Sequence, residues 1–213
     1  MTSFVIMNAD FRVNGKIIET ERLVLRPFRE ADLEDFFEYA SVDGVGQMAG
    51  WMPHENRDKT KAILEKFIEE DKTFAITLKK LNGKVIGSLG VEKYDMEDVL
   101  SEFFPYKGRS IGYVLGKPYW GRGLMPEAVK AVIDYLFREC SMDFLLCGHY
   151  DFNGRSARVQ QKVGFKPYRK LVMDTRFGTK EPGRLNILLN PAKDVKLVFS
   201  HPETLVSTEI SSL

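Results

Sequence analysis

The chain has 213 residues, with 31 lysine and arginine against 30 aspartate and glutamate, for a formal net charge of +1. Apolar residues make up 44% and aromatics 12%, enough for a sizeable core, so intrinsic disorder is excluded and the near-zero charge argues against a general nucleic-acid binder. Two cysteines, Cys140 and Cys147, exclude a disulfide scaffold and a four-cysteine zinc site. His54, His149 and His201 lie far apart, so no metal is expected.

Residues 1–7 lack the basic region and long apolar stretch of a signal peptide, and no apolar run approaches the roughly 18–20 residues of a membrane span. The expectation is a reduced, soluble, cytoplasmic protein without membrane or nucleic-acid partners, working as a monomer or homodimer.

Residues 4–27 read as extended. Phe11–Val13, the Asn14-Gly15 turn and Lys16–Ile18 form a hairpin pattern, because Asn-Gly tolerates the positive φ of a tight turn. Leu23-Val24-Leu25 continues the strand as far as Pro27. A helix is expected over about 30–40, with Leu33, Phe36, Phe37 and Ala40 on one face. A glycine-rich loop follows, carrying Met48, Trp51, Met52 and His54. The second helix, about 57–70, has Ile63, Leu64, Phe67 and Ile68 as its apolar stripe. Phe74–Leu78 is a strand, Asn82-Gly83 a second hairpin turn, and Lys84–Glu92 the returning strand. Simple alternation puts Val85, Leu89 and Val91 on one face of that strand and Ile86, Ser88 and Glu92 on the other. Residues 93–109 are a polar, acidic excursion whose aromatics, Phe103 and Phe104, either cap something or pack down.

From Ser110 the pattern becomes strand, loop, helix, strand, helix. Ser110–Leu115 is a strand and 116–123 a loop. Leu124–Glu139 is a helix apolar nearly all round, hence buried on several sides. Phe144 to Tyr150 is a strand, and a helix from Asn153-Gly-Arg-Ser156 runs to about Lys162. This succession implies a βαβ crossover around a sheet. Strand-like pieces at 169–173 and 185–189 follow, then a tail over 192–213 with one apolar stretch, Val195–Phe199.

The segment that carries chemistry is Tyr119-Trp120-Gly121-Arg122-Gly123-Leu124-Met125-Pro126-Glu127-Ala128. Two glycines allow a tight turn with amides facing inward. The first helical turn has N–H groups without intrahelical partners, and the helix dipole adds partial positive charge there. Together these suit a phosphate or pyrophosphate. Pro126 fits the first turn, and Arg122 adds a full charge. Gly-x-Gly alone is equally a plain loop into a helix. The segment is neither a P-loop nor the dinucleotide fingerprint.

The run Tyr113 to Ala128 resembles the acetyl-CoA-binding motif of the GNAT superfamily of N-acetyltransferases. Its Tyr-Trp-Gly-x-Gly form is similar to the Rim-type subgroup, which acetylates ribosomal-protein N-termini. Glu19–Phe28 resembles that subgroup's opening strand, Val85–Leu89 its central hairpin, and Asn153–Ser156 with Lys162–Phe165 its second cofactor motif. The resemblance covers about residues 19–175. It implies an α/β fold with a mixed, strongly twisted central sheet, flanking helices, and strands splayed at the acetyl-CoA site. The expected division is an extension over 1–18, an acetyltransferase domain over 19–190 and a tail over 191–213.

What the resemblance implies for function is direct transfer of acetyl from acetyl-CoA to an amine in a ternary complex. The amine is either a protein N-terminus or a small molecule. Main-chain groups of Tyr113, Val114 and Leu115 would pair with the pantetheine arm like an added strand. Amides of Trp120, Gly121, Arg122, Gly123, Leu124 and Met125 would hold the pyrophosphate, and Asn153 and Ser156 would lie near the pantetheine. Asn153 is equally a helix N-cap. Met125 is bulkier than the residue usual at its position. Gln160 stands where many members carry a tyrosine acid, so the acid is unassigned. Glu92 is the candidate base, with a solvated strand-end charge as its alternative reading. His149 is a second candidate, or a packed histidine. Trp51, Met52 and His54 either border the acceptor or simply pack. Other outcomes are a different acyl-CoA, an antibiotic amine, or a non-catalytic acyl-CoA sensor.

Overall fold

A computed structural model of the chain describes residues 9–94, 103, 105–196 and 206–208. The described residues fall into two compact units, one of residues 11–91 with 112–132, the other of the described residues among 9–10, 92–111 and 133–208.

In the first unit, β1 (Ile18–Glu19), β2 (Leu23–Pro27), β3 (Thr73–Leu78) and β4 (Lys84–Glu92) pair antiparallel in chain order. The end of β5 (Gly108–Leu115) lies beside β4, and the Gly116 N–H donates to Ile86 O at 2.8 Å. Leu23, Leu25, Phe74 and Ile76 are fully buried, and each such side chain stabilises the fold by about 1.5–3 kcal/mol. Helices α1 (Leu33–Ala40) and α2 (Arg57–Glu70) meet through aromatic rings. Phe36 stacks on Phe67 at 5.5 Å, and Phe28 contacts both at 5.5 and 5.3 Å. Asn56 caps α2 by accepting from the Lys59 N–H at 2.8 Å.

Two local expectations change. The Asn14-Gly15 turn forms, with φ of 49° and 73°. Phe11–Val13 does not become a strand, because the end of α2 captures its donors. The Val13 N–H donates to Asp71 O at 2.6 Å, and the Asn14 N–H donates to the Asp71 carboxylate at 2.9 Å. Phe11 and Val13 are nevertheless buried. In β4 the register with β3 shifts, so that Ile76 faces Gly87 while Thr77 faces Val85. An extra residue breaks the period of two. Val85 therefore shares the α1–α2 side with Ser88, whose partner is Ala75, rather than the side of Leu89.

In the second unit, β5 runs parallel to β6 (Phe144–Tyr150) over Gly108–Ser110, and α3 (Leu124–Arg138) lies between them in sequence, which is the expected crossover connection. The pairing continues with β8 (Lys180–Leu189) against β6, β7 (Lys166–Asp174) against β8, and Val206–Thr208 as β9, parallel to β7. Parallel and antiparallel pairs mix, as expected. The core here is Phe144, Leu146, Tyr150, Leu171, Met173, Leu185 and Ile187, with Phe103 stacked on Phe144 at 4.4 Å. Phe103 therefore packs down. Phe104, residues 95–102 and most of the tail lie outside the described residues. Helix α4 (Gly154–Lys162) belongs to this unit.

Candidate functional site

The glycine loop is fixed from both ends. After Leu115, residues Lys117–Tyr119 form a single 3₁₀ turn, and the Trp120 N–H donates to Lys117 O at 3.3 Å. The Trp120 amide thus closes the turn. Its indole instead donates from Nε1 to Leu115 O at 2.6 Å and packs against the α1–α2 cluster. Gly121 and Gly123 both adopt positive φ, 74° and 75°, where a side chain is strained. Alternating left-handed glycines turn successive amides to one side, the geometry of an anion nest. Gly121, Arg122 and Gly123 are exposed, and Leu124 and Met125 are buried. The bulk of Met125 therefore goes into the core, not into the loop. The Glu127 N–H donates to Gly123 O at 3.3 Å, and Pro126 has no N–H. Helix geometry gives the Leu124 and Met125 amides no intrahelical partner. The Arg122 guanidinium lies 5.8 Å from the Tyr119 ring centroid.

Alternation divides the three strand residues. The bond from Gly116 to Ile86 turns Gly116 toward β4, and a Cβ on Gly87 would sit 2.3 Å from Val114 O. Val114 therefore presents its backbone to β4, while Tyr113 and Leu115 present theirs to the opposite edge. Of the backbone groups facing that edge, Leu115 O already accepts from the Trp120 indole, which leaves the Leu115 N–H and the Tyr113 groups facing it.

Two residues without a role in the sequence reading anchor this loop. Glu127, in the first turn of α3, accepts at Oε1 from Thr20 Oγ1 (2.5 Å) and the Arg22 N–H (2.9 Å), and at Oε2 from Arg22 Nε (2.6 Å). Burial acts to raise the Glu127 carboxyl, but the bonds from Thr20 and Arg22 and the Arg22 charge outweigh it and hold the group below the usual carboxylate range. Arg22 Nη1 donates to Arg122 O at 2.9 Å. Thr20, Arg22 and Glu127 all fall within quoted motifs. Their meeting could not be read, because about a hundred residues separate them.

The loop between α1 and α2 resolves toward packing. His54 is 6% exposed, its Nδ1 lies 2.9 Å from Thr60 Oγ1, and its ring contacts Trp51 at 5.1 Å and Phe36 at 5.3 Å. Burial first, and Lys59 second, push its imidazole down to about 4. Trp51 covers Gly46 so closely that a Cβ there would sit 2.2 Å from the ring, a constraint the sequence did not reveal. Met52 is 56% exposed.

In the second unit, Asn153 caps α4, its Oδ1 accepting from the Ser156 N–H at 3.1 Å. Gln160 is 1% exposed and tied down on all sides. Its Nε2 donates to Gly148 O and Ser156 Oγ, both at 3.1 Å, and its Oε1 accepts from Asn186 Nδ2 at 2.6 Å. Nearby, His149 is buried, and burial holds its imidazole below the ordinary value against the opposing pull of Gln160. Glu92 is partly buried, and its charge acts on the guanidiniums of Arg109 and Arg176. It is not the simple solvated strand end of the alternative reading. Cys147 is buried and Cys140 half-buried. Among the described residues, no group of three histidine, cysteine or acidic side chains could hold a metal, and no helix is long and apolar enough to cross a membrane.

A glycine loop that opens onto a helix N-terminus is an arrangement suited to a phosphate or pyrophosphate. Residues 22–166 match the family described as the acetyltransferase (GNAT) domain. The uncharacterized N-acetyltransferase p20 of Bacillus licheniformis is 31% identical over 152 residues, covering 69% of this chain and 80% of that protein. The fold is shared with a GNAT-family acetyltransferase from Bacillus anthracis, at TM-score 0.71 and 22% identity, covering 82% of this chain and 99% of the other. It is also shared with a ribosomal-protein-S5-alanine acetyltransferase from Vibrio fischeri, at TM-score 0.64 and 22% identity, covering 85% and 99%. The chain belongs to the GNAT family of acetyltransferases and is an enzyme of the N-acetyltransferase class.

Proposed function

We propose that the protein transfers acetyl from acetyl-CoA to a primary amine by direct attack within a ternary complex. The observation that carries this reading is the Gly121–Met125 loop, with two glycines at positive φ leading into the first turn of α3. Amides of Gly121, Arg122, Gly123, Leu124 and Met125 hold the pyrophosphate. Tyr113 and the Leu115 N–H offer backbone groups to the pantetheine arm, and Asn153 and Ser156 flank that arm in addition to ordering α4. The amine nitrogen attacks the thioester carbonyl, the N–C bond forms and the C–S bond breaks. Glu92 takes the amine proton, and the CoA thiolate is protonated from solvent. A CoA thiol is acidic enough to leave without a tyrosine, which accommodates the committed Gln160. The Tyr119-Trp120-Gly121 variant favours a protein N-terminus as acceptor, and the protein works in the cytoplasm.

The test is release of CoA thiol across a panel of N-terminal peptides, polyamines and aminoglycosides, with calorimetric titration of acetyl-CoA alongside. A folded Gly123→Glu variant should lose acetyl-CoA binding. The left-handed backbone strains any side chain by roughly 1–2 kcal/mol, the new Cβ sits 3.5 Å from Arg22 Nη2, and the carboxylate beyond it opposes the phosphates and competes with Glu127 for Arg22. Unchanged affinity in that variant would refute the site. Tight acetyl-CoA binding with no turnover on any acceptor would instead establish a sensor.

A further inference from the structure

We propose that Arg22 is a positioning residue of the acetyl-CoA loop: clamped by Glu127, it fixes the Arg122–Gly123 peptide so that the Gly123 N–H faces the pyrophosphate. The proposal rests on the acetyl-CoA reading of the same loop.

Three observations within one unit support it. First, the Arg22 backbone is immobilised. Arg22 O accepts from the Lys79 N–H at 3.0 Å, and the Leu23 N–H beside it donates to Thr20 Oγ1 at 2.9 Å. Second, the guanidinium has one orientation. Nε and Nη2 both lie 2.6 Å from Glu127 Oε2, which leaves Nη1 to reach Arg122 O at 2.9 Å. Third, a trans peptide points its C=O and the following N–H in opposite directions. With the Arg122 carbonyl drawn to Arg22, the Gly123 N–H must face the other side of the loop. Gly123 at φ 75° and Gly121 at φ 74° then bring neighbouring amides toward that side.

Charge gives Arg22 a second task. A carboxylate in the first turn of a helix complements the dipole, but it repels any anion bound at the same end. Glu127 occupies that position. Its four contacts with Thr20 and Arg22 cancel the charge locally and add a guanidinium edge beside Gly123. Arg22 thus turns a residue that would oppose the cofactor into the holder of the loop.

The experiment compares acetyl-CoA with a truncated thioester lacking the nucleotide and pyrophosphate, S-acetyl-N-acetylcysteamine, on wild type, Arg22→Ala, Arg22→Lys and the Arg22→Ala/Glu127→Gln double variant. Removing a charge-assisted hydrogen bond should raise the KM for acetyl-CoA in Arg22→Ala by about tenfold to a hundredfold. The KM for the amine and the kcat should change little, and the preference for acetyl-CoA over the truncated thioester should fall by the same factor. The double variant should recover part of the loss, because it removes the unpaired carboxylate. Arg22→Lys should fall between, since one ammonium cannot replace the fork. Equal losses on both thioesters would mean that Arg22 only stabilises the unit, and would overturn the proposal. So would an unchanged preference. A wild type that does not use acetyl-CoA at all would instead sink the cofactor reading itself.

Discussion

Protonation of His54 separates packing from function in the loop between α1 and α2. Its imidazole is held at about 4, first by burial and then by Lys59, against an ordinary value of 6.5. In the unfolded chain it titrates near the ordinary value. Between the two values the unfolded state binds a proton that the folded state does not, so stability rises with pH across this window. The contribution of the neutral ring is complete above about pH 6.5 and is lost as pH falls toward 4. At about 1.36 kcal/mol per unit, the loss amounts to roughly 2 to 3 kcal/mol near the acid end of that window. Urea unfolding of wild type and His54→Gln, between about pH 4.5 and 7.5, reads this directly. The variant carries a constant offset from lost ring contacts, and only the slope difference matters. The wild type should lose stability on acidification more steeply by up to one proton. Parallel profiles would show that the native ring protonates as freely as the unfolded one. His54 would then be open to solvent and available to an acceptor, contrary to its contacts with Thr60, Phe36 and Trp51.

Two further outcomes follow from the second unit. Gln160→Ala should lower stability by about 1–3 kcal/mol in chemical denaturation, because it strands the Asn186 amide in a buried site, while turnover stays within about tenfold. A thousandfold fall in turnover with unchanged substrate binding would show a chemical role. Glu92→Gln should lower turnover on the true acceptor by ~10²-fold or more with acetyl-CoA affinity nearly unchanged, and the residual rate should climb with pH as free amine accumulates. Wild-type turnover with an unaltered pH profile would leave Glu92 as counter-charge to Arg109 and Arg176, and His149 would become the next residue to test.

The sequence was most legible where short-range periodicity decides structure. Helix α2 and strands β4 and β6 lie where their apolar spacing put them, because each presents an ordered stripe to a core. Phe11–Val13 defeated the same reasoning, since a hairpin pattern cannot show that Asp71 will take its donors. The extra residue in β4 was equally invisible, because Val85 and Ile86 are both apolar and either suits a buried face. In the site, the positive φ of Gly121 and Gly123 was readable from residue type alone. The commitments of the Trp120 amide and of Gln160 depend on partners that only folding supplies. Arg22 and Glu127 both stood in recognised motifs, but nothing local in either says that they meet.

The pairing of Arg22 with Glu127 also sets an order on the life of the chain. The two residues are 105 positions apart, although they belong to one compact unit. During synthesis the segment through Val91 emerges with Arg22 and Thr20 in place but with no carboxylate to hold. The glycine loop and the first turn of α3 arrive only with residues 112–132, after the intervening excursion has been made. The contact between Arg22 and Glu127 can form only once those residues have been made. The cofactor loop is therefore among the last parts of its unit to be completed, and an unfinished chain can possess the β1–β4 layer and still be unable to hold a pyrophosphate.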